Sequence, residues 1–127
     1  MAGGSGALHE NSEVLRPETV ERHRAIVSLM EELEAIDWYD QRVDAARDQE
    51  LRDVLAHNRD EEKEHAAMAL EWLRRHDAKL DEHLRTYLFS DKPLLQVEHE
   101  AEQDGGPNES SDEAMNAGLG IGSLRDR

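Results

Sequence analysis

The sequence predicts an all-α protein, a two-helix antiparallel hairpin followed by a short third helix. Two observations carry that expectation. Gly and Pro are rare between Glu18 and Lys92 and common on either side. Within that stretch the apolar residues recur at steps of three, four and seven, which is the periodicity of helix faces.

The first helix is expected from Pro17, which suits the opening turn, with Glu18 and Glu21 favouring its positive end. From Thr19 to about Arg47 the residues are strongly helix-forming, and Ile26, Leu29, Leu33, Ile36 and Val43 make one apolar stripe. A second helix is expected from about Asp48 to His76. Its stripe is Leu51, Leu55, Asn58, Glu62, His65, Ala69, Trp72 and His76, in alternating steps of four and three. One uninterrupted helix would exceed the usual globular length, so a turn is placed near Arg47–Glu50, with Asp48 as N-cap. A third, shorter helix covers Lys79 to Phe89, with Leu80, Leu84, Tyr87 and Leu88 on one side, and Pro93 ends it.

Outside this body the expectations are plainer. Residues 1–16 read as a flexible arm, 17–93 as the helical body, 94–117 as a disordered acidic linker with the turn-prone run Asp104-Gly-Gly-Pro107, and 118–127 as a separate apolar tail. An ordered body of about 75 residues buries little core by itself, so an oligomer is expected from size alone.

Composition excludes several function classes. The 127 residues carry a net charge of −15, which argues against nucleic acid as a partner. An acidic surface keeps a protein soluble and also gathers cations. There is no cysteine, so disulfides, thiolate metal sites and cysteine nucleophiles are excluded. No secretory signal is visible in MAGGSGALHENSE, and no apolar run approaches the roughly 20 residues that span a bilayer. The expected compartment is the cytoplasm.

The informative anomaly lies on the second helix. Glu62 and His65 occupy central stripe positions where Leu or Ile belongs. An ionised carboxylate taken out of water without a partner costs many kcal/mol, and a metal ion offsets that cost. Glu and His suit iron, zinc or manganese, and Glu-x-x-His puts both side chains on one helix face, roughly 60° apart. Di-iron four-helix bundles use two such motifs and one further Glu from each of the other two helices. This chain has one Glu-x-x-His, and Glu32 on the first helix falls at the edge of the apolar stripe beside Ile36, Tyr39 and Val43. One hairpin therefore holds half a site, and a two-fold pair of chains would complete it as a four-helix bundle. The alternative stays open at this point, because polar residues in a narrow helical seam also specify register or oligomer state without metal. Tyr39 lies about two turns from Glu32 on the same face, within reach of a supporting hydrogen bond. Glu31 and Glu34 fall on a different side, with Trp38 continuing their row. His57 reads as a surface residue, and neither His76 nor Asn58 is assigned a role.

The runs Met30-Glu-Glu-Leu-Glu-Ala-Ile-Asp-Trp-Tyr39, His57-Asn-Arg-Asp-Glu-Glu-Lys-Glu-His65 and Glu71-Trp-Leu-Arg-Arg75 closely resemble the encapsulated ferritins, cargo proteins of encapsulin shells. The resemblance covers about Thr19 to Pro93. It implies a ferritin-like four-helix bundle formed on dimerisation, and an annular decamer built from such dimers. It further implies a ferroxidase centre at each dimer interface, holding two iron ions. By motif match Glu32, Glu62 and His65 are the iron ligands and Tyr39 stands behind them. Trp38 lies near the approach, and Glu31 and Glu34 form a secondary metal site. The tail Leu119-Gly120-Ile121-Gly122-Ser123-Leu124 looks like the peptide that docks such cargo on the inner wall of the shell, placing the protein inside a cytoplasmic nanocompartment. The implied reaction is oxidation of Fe²⁺ to Fe³⁺ with O₂ as acceptor, feeding mineral storage in the shell. Three rivals are carried beside it: a di-iron or di-manganese peroxidase or catalase, a helical module whose metal only joins subunits, and a metal-free coiled-coil adaptor.

Overall fold

The computed structural model describes residues 6–104, and among them every regular element is helical. The elements are a 3₁₀ turn at Ser12–Val14, then α1 (Pro17–Ala45), α2 (Gln49–Arg75), α3 (Ala78–Tyr87) and α4 (Leu94–Asp104). The chain divides into two compact units, Met1–Asp77 and Ala78–Arg127. Among the described residues no helix is long and apolar enough to cross a membrane.

In the first unit, α1 opens on Pro17, whose missing N–H is one that a helix start leaves unpaired anyway. The helix ends where the Ala46 N–H donates to the Arg42 carbonyl. The break from α2 is three residues, Ala46 to Asp48. Asp48 caps α2 as expected, its Oδ2 accepting from the Leu51 N–H at 2.9 Å. At the far end the His76 N–H bonds Leu73 O, and the His76 ring stacks on Trp72 at 3.8 Å between centroids. Cross-helix pairs join residue 32 to 65 and residue 40 to 59, so α1 and α2 run antiparallel.

The packed face of α1 differs from the predicted stripe. The half-buried residues include Arg22, Ala25, Leu29, Glu32, Ile36, Tyr39, Val43 and, just past the helix end, Ala46, a row in regular steps of three and four. Ile26 and Leu33, expected inside, are exposed and form a second apolar row with Met30. On α2 the inward row is Arg52, Leu55, Arg59, Glu62, Ala66, Ala69 and Leu73. Leu51, His65 and His76, expected on the seam, lie to one side of it and are exposed. The predicted stripes merged residues of two neighbouring rows on each helix. In a hairpin each helix has one neighbour, and a single seam accommodates only part of that set.

The arm predicted as flexible carries local structure over residues 6–16. The Asn11 Oδ1 accepts from the Glu13 N–H to cap the 3₁₀ turn, and a β-carbon at Gly6 would stand 3.8 Å from Val27 Cγ1, so the chain folds back beside α1.

In the second unit, α3 holds Asp81 buried, with the Arg85 Nε donating to both its carboxylate oxygens at 2.9 and 3.0 Å. Phe89 then takes a left-handed backbone conformation (φ 63°) that stops the helix. The linker predicted from residue 94 instead begins with α4. Pro93, expected to end α3, lies beyond its end and instead opens α4, its carbonyl accepting from the Val97 N–H at 3.1 Å. Val97 is buried, and Lys92 Nζ reaches Glu100 Oε1 at 2.8 Å. These contacts hold a stretch whose acidity had suggested disorder. The rest of the predicted linker and the tail from Leu119 to Leu124 lie outside the described residues.

Candidate metal centre

Glu32 stands on the inward row of α1, and Glu62 stands opposite it on the inward row of α2. His65 follows Glu62 by three residues on the adjoining exposed row. Sequence spacing put Glu32 at the margin of its stripe, and the structure puts it at the centre. The three side chains bring one ligand atom each to within 4.8 Å of one another, and they are the one such group of three or more among the described residues.

His65 Nδ1 lies 3.6 Å from Glu32 Oε2 and 3.6 Å from Glu62 Oε2. That is an ion-pair distance, too long for a hydrogen bond, and Glu32 Oε2 is accordingly a buried acceptor without a hydrogen-bond partner. Buried acceptors left in that condition are uncommon. The Glu32 carboxyl is pushed above its ordinary pKa, first by the neighbouring Glu62 carboxyl, then by burial, with His65 pulling the other way. Two carboxylates are thus held together against their own repulsion.

This arrangement fits a cation. Ligand atoms bonded at about 2.1 Å to one tetrahedral ion lie about 3.4 Å apart, close to the 3.6 Å found on both sides of His65. A positive ion would supply the partner that Glu32 Oε2 lacks and would remove the carboxylate repulsion. Two carboxylates and one imidazole are a borderline-hard donor set, suited to iron, manganese or zinc. The cluster is open on one side: the His65 side chain is 44% exposed, whereas Glu32 and Glu62 are 26% and 24% exposed.

The other predicted site residues lie apart from this group. Glu31 and Glu34 are exposed on α1. Trp38 is also exposed, and the Arg42 guanidinium lies over both its ring and that of Tyr39, at 5.9 and 5.4 Å from the centroids. Tyr39 shares the inward row of Glu32, though no hydrogen bond joins the two. Sequence reasoning missed Arg59, which reaches across to Asp40, and Arg42. An arginine at a seam position, three residues before Glu62, was the available signal for the first.

A helical hairpin bearing Glu on one strand of the pair and Glu-x-x-His on the other defines a ferritin-like helical protein. The family described as EncFtn-like matches residues 7–91, and the chain belongs to that family. It is similar to the encapsulated ferritin-like protein of Rhodospirillum rubrum, with 61% identity over 131 residues, covering 98% of this chain and 92% of the relative. A ferritin-like protein of Thermotoga maritima is 56% identical over 87 residues, 65% of this chain and 76% of that one. Among solved structures, a protein from Nitrosomonas europaea superposes with a TM-score of 0.67 at 58% identity, covering 69% of this chain and 97% of the other.

Proposed function

We propose that this protein is a ferroxidase, oxidising Fe²⁺ to Fe³⁺ at a di-iron site that two copies build together, each supplying Glu32, Glu62 and His65. The observation that carries the reading is a donor set that converges but does not close. Three ligand atoms meet within 4.8 Å, with an unpartnered buried oxygen among them and an exposed imidazole at the rim. Three donors on one chain are too few for two iron ions, and two-fold pairing doubles them.

In this reading Fe²⁺ is the substrate. Glu32 and Glu62 bind it through charge, and His65 Nδ1 orients it. The carboxylate-rich set favours the harder Fe³⁺ product, and two ions held together can give up two electrons in one encounter with O₂. Glu31 and Glu34, exposed on α1 near Trp38, form the secondary site that gathers iron toward the centre. Tyr39 stands behind Glu32. The two separate exposed apolar rows, Ile26–Met30–Leu33 on α1 and Leu51–Val54–Met68 on α2, call for two interfaces, which a ring-shaped decamer built from dimers provides. Association with an encapsulin follows the relative named as encapsulated. The tail Leu119–Leu124 is the segment assigned to docking on the shell wall, inside a cytoplasmic nanocompartment that stores the oxidised iron.

The test is an anaerobic Fe²⁺ titration followed by native mass spectrometry, then exposure to air. The expected result is two iron ions per pair of chains, oxidation on admission of O₂, and loss of both in Glu32→Ala. Peroxide consumption without Fe²⁺ turnover would replace this reading with a peroxidase. Loss of assembly in Glu32→Ala would give the metal a structural role instead, and unchanged oxidation in assembled Glu32→Ala would overturn the reading.

A further inference from the structure

Glu32 and Glu62 bring ligand atoms to within 4.8 Å of each other, and like charges so placed push α1 and α2 apart. Something must keep the two carboxylates opposed. One turn before Glu62, on the same inward row of α2, stands Arg59. Its Nη1 donates to Asp40 Oδ1 of α1 at 3.1 Å, while its Nε donates to Asp60 Oδ1 of its own helix at 3.3 Å. The Arg59 side chain is 24% exposed and that of Asp40 is 55% exposed, so the guanidinium lies in the seam and the carboxylate reaches in from the rim. The planar fork of Arg serves two carboxylates in fixed directions, which a lysine cannot do.

We infer that Arg59 is a positioning residue that bridges Asp40 across the seam and so holds Glu62 opposite Glu32 before any cation arrives. Three roles for Arg59 differ in the sign of their effect. A positive charge one turn from the cluster repels a divalent cation, so if charge were all that mattered, Arg59→Gln would tighten binding. A surface ion pair of the ordinary kind contributes little, and its loss would leave binding unchanged. Positioning predicts weaker binding, because the opposed carboxylates splay.

The experiment uses the full chain, with Co²⁺ and Zn²⁺ as probes read by calorimetric titration. The inference rests on the metal reading for this arm. Arg59→Gln and Asp40→Asn are each expected to lower affinity about tenfold, in the range for residues that orient metal ligands. The double variant should be no weaker than either single one, because the two side chains act as a pair. A second arm needs no metal: amide hydrogen exchange across residues 59–66 should quicken several-fold in metal-free Arg59→Gln while the last turn of α2 stays unchanged. Equal or tighter binding in Arg59→Gln overturns the inference, as do additive losses in the double variant. If the wild-type chain takes up neither cation, the metal reading falls on its own and the exchange arm decides, with unchanged exchange at 59–66 overturning the positioning role. Should Arg59→Gln lose its helix content, Arg59→Lys replaces it in both arms, and wild-type affinity in that variant overturns the inference.

Discussion

In the absence of metal, replacing Glu32 with Gln should make the protein more stable. Two carboxylates with ligand atoms no more than 4.8 Å apart repel by about 0.9 kcal/mol in a water-like dielectric and about 3.5 kcal/mol at the effective value of 20 usual near protein surfaces. Both side chains are about one-quarter exposed, and the His65 ring at 3.6 Å offsets part of the repulsion, so a gain of about 1 kcal/mol is expected at pH 7.5. For a body of this size that is a rise in melting temperature of roughly 4–8 °C. The sign of the pH dependence follows from the raised pKa of Glu32. Its folded form holds a proton more readily than its unfolded form, so the wild type loses stability as pH rises through the unfolded value toward the folded one. The variant's advantage should therefore be full at neutral pH and vanish well below pH 4.5, where both forms are protonated. The assay is thermal unfolding of chelator-treated protein at fixed protomer concentration from about pH 3 to 8, since assembly shifts the midpoint by mass action. A metal-free Glu32→Gln protein less stable than wild type at pH 7.5 would refute the reasoning, because it would mean that the two carboxylates do not strain each other.

Three other outcomes are expected. Adding Zn²⁺ or anaerobic Fe²⁺ at about 100 times Kd should stabilise the wild type by about 2.7 kcal/mol, and chelation should reverse it, with no shift in His65→Ala, as differential scanning calorimetry will show. Asp48→Ala removes the acceptor for the Leu51 N–H and should lower stability by about 1 kcal/mol in urea unfolding, with Asp48→Asn nearly neutral. Glu71 has its carboxyl drawn down to about 2 by hydrogen bonds to Arg74 and Arg75. Its contribution is present above the unfolded value of 4.5 and fades as pH falls toward 2. With 42% of the Glu71 side chain exposed, solvent screening leaves about 0.5–1 kcal/mol, measurable as the loss in Glu71→Gln at pH 7 that disappears in acid.

How much of this could be read beforehand depended on which physical signal each residue carried. Glu62 was legible because it breaks an apolar stripe, and its partner His65 was legible by spacing, though the ring stands at the rim of the seam rather than in it. Asp48 was legible because an N-cap is a local interaction between near neighbours. Glu32 was found but misplaced. Ile26 and Leu33 drew the apparent centre of the α1 stripe away from it, and both turned out to lie outside the hairpin seam. Arg59 was overlooked because its meaning depends on Asp40, nineteen residues away, and helical periodicity says nothing about pairs across a turn. The helix α4 was overlooked for a different reason. Its sequence is acidic and follows a proline, and only the burial of Val97 and the reach of Lys92 to Glu100 distinguish it from a solvated linker.

The exposed face of α2 joins chemistry to assembly. His65 shares an exposed row with Leu51, Val54 and Met68, at steps of three, eleven and three. A surface that covers this row removes apolar area from water and at the same time closes the open side of the donor set. On the proposed reading that surface is a second copy. Whatever free energy a cation gains from the added donors then reappears as tighter association, and whatever association gains reappears as cation affinity, because the two equilibria share one coupling term. The protomer by itself is poor at both tasks. Its inward seam buries only Ala66 and Leu73 in the hairpin, and its two opposed carboxylates have only the His65 ring, at 3.6 Å, to offset their repulsion. On the proposed reading each shortfall is met by the same event, pairing, so an assembled pair should oxidise iron where a lone chain does not.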